Sequence, residues 1–399
     1  PAWIQSRLKQ VGKNITLDAA KLVALRVEGN LLAAKQEIDK LVKQAKSLKD
    51  SPTKVNLLES AIQIADACGD IEEGFWIRKS LIEAATFSGC VEKALIAFPW
   101  CLAKCEQEPD KFSEKSLLWE YKWICEHLPN FPQISREQIQ NTLSDFAQRY
   151  QKWGSSMRPF FRIQCMSAVK MNDTLKAKAY YQKWQETPKD RYTACRACEL
   201  DDKLDYIIYI GEYEKAIVEA TPILQGKLSC TEVPQFTLAK LLLPLVKLER
   251  IHEAVKYHRK NVRMISQNRD FLQQIGEHLT FLVITNNLIK AVELLEKHLI
   301  WALESLEPYM QFYFYQSVIF LTQVLLDRGE TNIKLRLPNT FPLYSENGEY
   351  STIALNQWFT QVTEDIALKF DRRNGNNYYF HQIEELKQLK ALITNVSIN

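Results

Sequence analysis

The clearest pattern in the chain runs from Tyr206 to Leu224, YIIYIGEYEKAIVEATPIL: an apolar helix end, a one-residue break at Gly211, and a second helix-period stretch from Tyr213. Ala216, Ala220 and Leu224 recur at i, i+4 and i+8, which places them on one helix face. This predicts a helical hairpin, with Gly211 supplying the backbone freedom of the break and Ala216 allowing close helix approach. The same grammar recurs as a polar or glycine break, an apolar or β-branched residue two on and a small residue five on. It fits Gly29, Leu31 and Ala34; Gly69, Ile71 and Gly74; Gly89, Val91 and Ala94; Asn172, Thr174 and Ala177; Glu249, Ile251 and Ala254; and Asn286, Leu288 and Ala291. Apolar stripes continue past the small residue, as in Phe98 with Leu102, Tyr181 with Trp184, and Leu295 with Leu299.

From Ala177 the small positions fall at 177, 216, 254 and 291, spacings of 39, 38 and 37. Gly-Glu-Tyr-Glu-Lys-Ala-Ile, residues 211–217, resembles the turn and second-helix signature of a tetratricopeptide repeat, whose unit is about 34 residues. The resemblance implies an all-α right-handed superhelix of antiparallel helix pairs, an α-solenoid, over roughly Leu17 to Arg328. The chain departs from the family where Leu204, Leu242 or Leu279 stands at the small position of the first helix. Three regions follow: 1–150, irregular helical repeats; 151–328, regular repeats; and 329–399, a loop with C-terminal helices that cover the last hydrophobic face.

Punctuation supports the helices. Asn14, Ser51-Pro52, Ser135 and Asn268 stand where caps are needed, and Pro109, Pro188 and Pro308 in the joints. Pro222 and Pro244 fall inside apparent helices and should kink them or shift a boundary. Residues 329–350 lose helix period and read as an ordered loop with a short β-ribbon. Helical pattern returns over 353–370, stops at Asn374-Gly375-Asn376-Asn377, and resumes from Tyr378.

Composition narrows the class. With 12 glycines and 14 prolines in 399 residues, and 46% apolar residues, the chain reads as all-α. The net charge of +3, from 51 basic and 48 acidic residues, calls for no nucleic-acid or membrane partner. The lysines of 35–54 and the acidic run Glu199, Asp201, Asp202, Asp205, Glu212, Glu214 and Glu219 read as solvated helix faces. Nine cysteines, most of them within apolar stripes, suit a reducing compartment. No run of 18 apolar residues appears, and PAWIQSRLKQ lacks the uncharged core of a signal peptide; the expectation is a soluble, cytoplasmic protein.

Cys195-x-x-Cys198 is the sharpest local motif, with Cys230 about one repeat away. Cys195 and Cys198 read first as packing near a helix start. A zinc site would need Cys230 plus a histidine or carboxylate, and a redox pair would need a thiolate-stabilising helix start, normally after a strand. Cys101 and Cys105 lie on a core stripe, as does His258. Tyr309, Phe312, Tyr313, Phe314 and Tyr315 read as core, or with Tyr309, Tyr313 and Gln316 as the floor of a groove. The tail motif with Arg372 and Arg373 reads as a helix joint or an anion grip. No G-x-S-x-G, P-loop or G-x-G-x-x-G pattern occurs, so neither an enzyme nor a cofactor or resident metal is expected.

The tetratricopeptide resemblance implies that the first helix of each pair lines a concave groove holding a peptide or protein partner. On that assignment Trp123, Arg162, Arg196, Lys240, Arg269, His278 and Tyr313 are groove contacts and the protein is a noncatalytic scaffold or adaptor. The alternative is a regulator whose superhelix changes curvature when a ligand or signalling peptide binds.

Overall fold

The structure, a computed structural model, describes residues 17–398, with side chains from residue 30 onward; Asn14 lies outside that range. It is predominantly helical and divides into two compact units, one of residues up to 88 with 93–112, the other of 89–92 with 113 onward. This division near residue 112 is distinct from the change in repeat regularity near residue 150.

The first unit holds α1 (Leu17–Lys46), α2 (Pro52–Cys68), α3 (Ile71–Thr86) and most of α4 (Val91–Gln107). Gly29, expected at a turn, lies inside α1. A lone glycine costs a helix only about 1 kcal/mol, and the flanking Leu, Ala, Glu and Lys are strong helix formers with no proline to stop them. Ser51 caps α2 and Pro52 occupies its first turn. Phe75 stacks on Phe112 at 4.5 Å, and the Arg78 guanidinium lies 3.9 Å from the Trp100 ring while pairing with Asp66 at 2.6 Å. Cys101 and Cys105 are buried.

The second unit begins with α5 (Leu118–His127) and α6 (Arg136–Lys152), the latter closed by a Ser135/Gln138 capping box. Helix pairs follow: α7 (Arg158–Lys170) with α8 (Thr174–Glu186), then α9 (Arg196–Tyr209) with α10 (Tyr213–Glu219) and the short α11 (Thr221–Leu224). Next come α12 (Gln235–Lys240) and α13 (Leu242–Lys247) with α14 (Ile251–Ile265), and α15 (Leu272–Ile284) with α16 (Leu288–Glu304). Breaking the helices at Ala220 and Leu241 puts Pro222 and Pro244 into first turns, where a missing N–H costs little. The long α17 (Pro308–Asp327) leads to a ribbon of β1 (Asn332–Lys334) antiparallel to β2 (Glu349–Ser351), then α18 (Thr352–Asn374) and α19 (Tyr378–Leu389).

The break grammar has a backbone cause. Gly69, Gly89, Asn172, Gly211, Glu249 and Asn286 all adopt left-handed backbone, with φ from 54° at Asn172 to 80° at Gly211. In each pair of the second unit the next amide bonds to the carbonyl five residues earlier: Asp173 to Ala168 at 2.8 Å, Glu212 to Ile207 at 3.1 Å, Arg250 to Leu245 at 2.9 Å and Asn287 to Leu282 at 2.8 Å. That is the helix stop that satisfies otherwise orphaned carbonyls. The small residues Ala94, Ala177, Ala216, Ala254 and Ala291 are all completely buried.

First helices of successive pairs pack on one another: α5 on α7, α7 on α9, α9 on α12, α12 on α15, and α15 on α17. α15 approaches α17 closely at Gly276, where an added Cβ would lie 3.0 Å from the Tyr313 carbonyl oxygen and 3.2 Å from the Phe314 Cα. Gly276→Ala is therefore expected to destabilise the second unit by about 1–3 kcal/mol, despite the roughly 1 kcal/mol gained in helix propensity. Thermal unfolding checks this; an unchanged or raised melting temperature would mean that α15 and α17 separate freely.

The tail does more than cover a terminal face. Arg373 donates to the carbonyls of Pro129 (2.9 Å) and Phe131 (3.2 Å), Arg136 to that of Asn374 (2.9 Å), Asn376 to that of Met171 (2.9 Å) and the Tyr379 hydroxyl to that of Lys170 (2.8 Å). Arg373 is thus a structural brace, and the joint reading of this motif is the one the contacts support. Residues 394–398 run beside the α15–α16 turn, Thr394 N–H donating to the Ile284 carbonyl at 2.8 Å.

Candidate functional site

Residues four apart on a helix face the same way, and in the second unit this builds a charged seam along the first helices. α5 presents Lys122 and Glu126, α7 Arg158 and Arg162, α9 Asp201 and Asp205, α15 Gln273 and Glu277, and α17 Tyr309 and Tyr313, with Lys240 from the short α12. Arg162 joins three helices by pairing with Glu126 and Asp202. Lys240 bridges Asp201 at 2.9 Å and Asp205 at 2.6 Å, and the Thr237 hydroxyl donates to Asp201 at 2.5 Å. Lys170 donates to Asn130 at 2.7 Å, Asn130 donates to Glu307, and the Lys170 ammonium stands 5.0 Å from the Tyr309 ring.

Arg158 makes the densest contact of α7 with α9. Its Nε and Nη2 each reach Glu199 at 2.8 Å, while Nη1 donates to the carbonyls of Trp184 (2.6 Å) and Thr187 (2.7 Å). Burial opposes the Glu199 charge, but Arg158, Lys189 and Trp184 outweigh it and hold the carboxyl below its usual range. Glu199 and Asp201 are only 5% and 3% exposed, so this part of the acidic run faces inward rather than solvent.

Among the described residues, Lys122 and Glu277 make no ion pair. Lys122, 2% exposed, lies 3.2 Å from the Trp119 ring and donates only to the Tyr192 carbonyl at 3.4 Å. Burial, with Arg162 nearby, lowers its ammonium to about 7. Glu277 accepts from Gln273 at 3.0 Å through one oxygen while the other, buried, accepts nothing. Burial raises its carboxyl to about 8 against the weaker opposing pull of Lys240. Lys122 and Glu277 carry complementary chemistry, one for an anionic group and one for a cationic or donor group.

Of the expected groove contacts, Arg162, Lys240 and Tyr313 lie on this seam, all drawn into internal contacts. Trp123 packs edge-on against Trp119 at 6.2 Å. His278 is completely buried away from the seam, with its Nδ1 2.8 Å from that of His258 and Asn261 beside it, so it has no surface for a partner; the cause is that it lies one residue, about 100° of helix, past Glu277. Arg269 pairs with Glu304 at 2.5 Å in the turn before α15. Arg196 is exposed at the first position of α9, beside the cysteines. Phe312, Phe314 and Tyr315 are core, whereas Tyr309, Tyr313 and Gln316 are partly buried, and Gln316 donates to the Gln382 carbonyl of α19 at 2.7 Å.

The three cysteines do come together. Cys195 caps α9 and its sulfur accepts from the Cys198 amide at 3.3 Å. The Cys195 and Cys198 sulfurs are 3.2 Å apart, and all three, Cys230 included, lie within 4.8 Å of one another. Among the described residues no histidine or carboxylate joins that group. Nor, among the same residues, is any helix long and apolar enough to cross a membrane. No protein-family model matches the chain, and no curated protein matches its sequence.

Proposed function

We propose that the protein is a noncatalytic, tetratricopeptide-like interaction scaffold or adaptor of the cytoplasm. In this reading the helix pairs of the second unit stack as a right-handed superhelix, and the seam along their first helices holds a segment of a partner protein. The observation that carries it is the polar stripe at i, i+4 spacing on successive first helices, with one Glu277 oxygen accepting no hydrogen bond. A peptide supplies a donor for Glu277, which is partly exposed, and backbone groups that suit the polar walls around it. Holding a carboxyl there without a charged partner costs stability, a feature of sites shaped for a ligand.

Affinity purification from the native organism with wild-type and Glu277→Gln chains tests this. Partner capture should fall at least about tenfold in the variant, the scale of one charge-assisted hydrogen bond. Capture by Glu277→Gln equal to that by wild type would end the reading.

The same substitution has a pH signature. With its folded carboxyl at about 8, Glu277 keeps a proton that the unfolded chain releases from about pH 4.5 upward, so stability falls as pH rises through that window. Lys240, Asp201, Asp205 and Tyr313 act on it from α9, α12 and α17, and Gln273 from its own helix. Glu277→Gln should be nearly neutral at pH 5 and stabilise by about 2–4 kcal/mol at pH 8. Denaturant unfolding at both pH values reads this; a pH-independent difference would show the carboxylate to be compensated.

A further inference from the structure

We propose that Cys195, Cys198 and Cys230 form a three-thiolate site for a thiophilic cation, with Zn2+ the ion that fits the set, leaving one coordination position for a donor from outside the cluster. This inference stands apart from the partner-binding reading.

The site is built by two separate elements. Cys195 and Cys198 are fixed by the first turn of α9, whose orphaned amides favour a thiolate: the sulfur of Cys195 accepts from the Cys198 amide at 3.3 Å. Cys230 arrives on the loop between α11 and α12. That loop is pinned over the helix start by a small buried cluster of Val233, Ala197 and Ile223, separate from the main core, and by the Cys230 amide donating to the Val233 carbonyl at 2.8 Å. The third sulfur is therefore placed by packing.

Geometry favours a metal over a disulfide. Sulfurs around tetrahedral zinc, at about 2.3 Å from the ion, are separated by about 3.8 Å. The Cys195 and Cys198 sulfurs are 3.2 Å apart and all three lie within 4.8 Å of one another, a spread that small shifts bring to that value. A disulfide uses two sulfurs about 2.05 Å apart and gives Cys230 no role. Three thiolates on a divalent cation leave one negative charge, and the Lys122 ammonium is close enough to interact with both Cys195 and Cys198. Cys195 and Cys230 are exposed, so an ion has access. Soft sulfur donors select Zn2+ or Cu+ over Mg2+ or Ca2+.

The test uses the full-length chain, reduced and stripped with chelator, titrated with Zn2+ against a chromophoric competitor and separately with Co2+. The expected result is one equivalent per chain and thiolate-to-cobalt charge-transfer absorption. Cys195→Ser, Cys198→Ser and Cys230→Ser should each weaken binding by at least about 100-fold, the upper end of what an outer-shell change costs or more. Serine is itself a favoured helix cap, so Cys195→Ser should keep the melting temperature and separate loss of metal from loss of fold. Cys68→Ser/Cys90→Ser should bind as wild type does. Absence of stoichiometric binding, unchanged affinity in Cys230→Ser, or a Cys195–Cys198 disulfide in freshly isolated, metal-free protein would each overturn the assignment.

Discussion

Arg158→Met is expected to destabilise the second unit by about 3–5 kcal/mol, and adding Glu199→Leu should recover most of that loss. Arg158 and Glu199 are 7% and 5% exposed. Removing the guanidinium leaves a buried carboxylate facing the Trp184 indole at 3.2 Å and the half-exposed Lys189 at 3.0 Å, while the carbonyls of Trp184 and Thr187 lose their donor. Breaking one side of a buried pair typically costs this much because the surviving charge is uncompensated, whereas replacing both partners with apolar side chains is often neutral. The two carbonyls should keep the double variant about 1–2 kcal/mol below wild type, the cost of unsatisfied buried acceptors. Arg158→Lys discriminates further: it keeps the charge but lacks the planar fork that reaches Glu199 and both carbonyls at once. Calorimetry of the full chain, followed in the transition that Gly276→Ala also moves, gives the double-mutant cycle. A single-variant loss under about 1 kcal/mol would mean that water already reaches Glu199.

The architecture was legible where a local backbone requirement governs it. A left-handed residue that stops a helix, followed at fixed offset by a fully buried alanine, is written into six consecutive letters, and Asn172, Gly211, Glu249 and Asn286 all obey it. Gly29 shows the limit, because a glycine without a following cap or proline is tolerated inside a helix. Gly276 was missed for the opposite reason: nothing in its own neighbourhood announces that Tyr313 and Phe314 cross it.

The charged seam was harder to read because helix phase is unforgiving. An error of one residue turns a side chain by about 100°, which separates Trp123 from Lys122 and His278 from Glu277. The acidic run of α9 looked solvated because its partners Arg158, Arg162 and Lys240 stand some 40 residues away. The tail brace was wholly invisible, since Arg373 reaches carbonyls more than 240 residues earlier. The cysteine cluster lay between these cases: the Cys195/Cys198 spacing was plain, but only the fold of the 225–234 loop delivers Cys230.

Lys240→Met, on the same seam, should lower stability by about 3–4 kcal/mol at pH 7, with the deficit at least halved at pH 5. The ammonium alone compensates Asp201, which is 3% exposed and otherwise accepts only from Thr237, and it also holds Asp205. Burial already pushes Asp205 up to about 6 and Asp201 upward, with Lys240 the chief opposing influence on both. Without Lys240 both carboxyls take up protons in the folded state. Protonating one at pH 7 from its unfolded value near 3.9 costs about 4 kcal/mol, which sets a ceiling for each orphaned group. The sign follows: folded values raised above unfolded ones reduce stability progressively as pH rises from about 4 to 7, and that reduction disappears on acidification. Asp202, Glu277 and Arg162 also face this cluster, so each comparison is variant against wild type at one pH, which also cancels the titration of buried His258 and His278. A deficit equal at pH 5 and pH 7 would exclude the orphaned carboxyls as its cause. Lys122→Met supplies the contrast, since Lys122 lies on the Trp119 ring with no carboxylate in ion-pair contact among the described residues and should shift stability by no more than about 1 kcal/mol. The same substitution on one seam thus separates a lysine that compensates two carboxylates from one that lies on an aromatic ring.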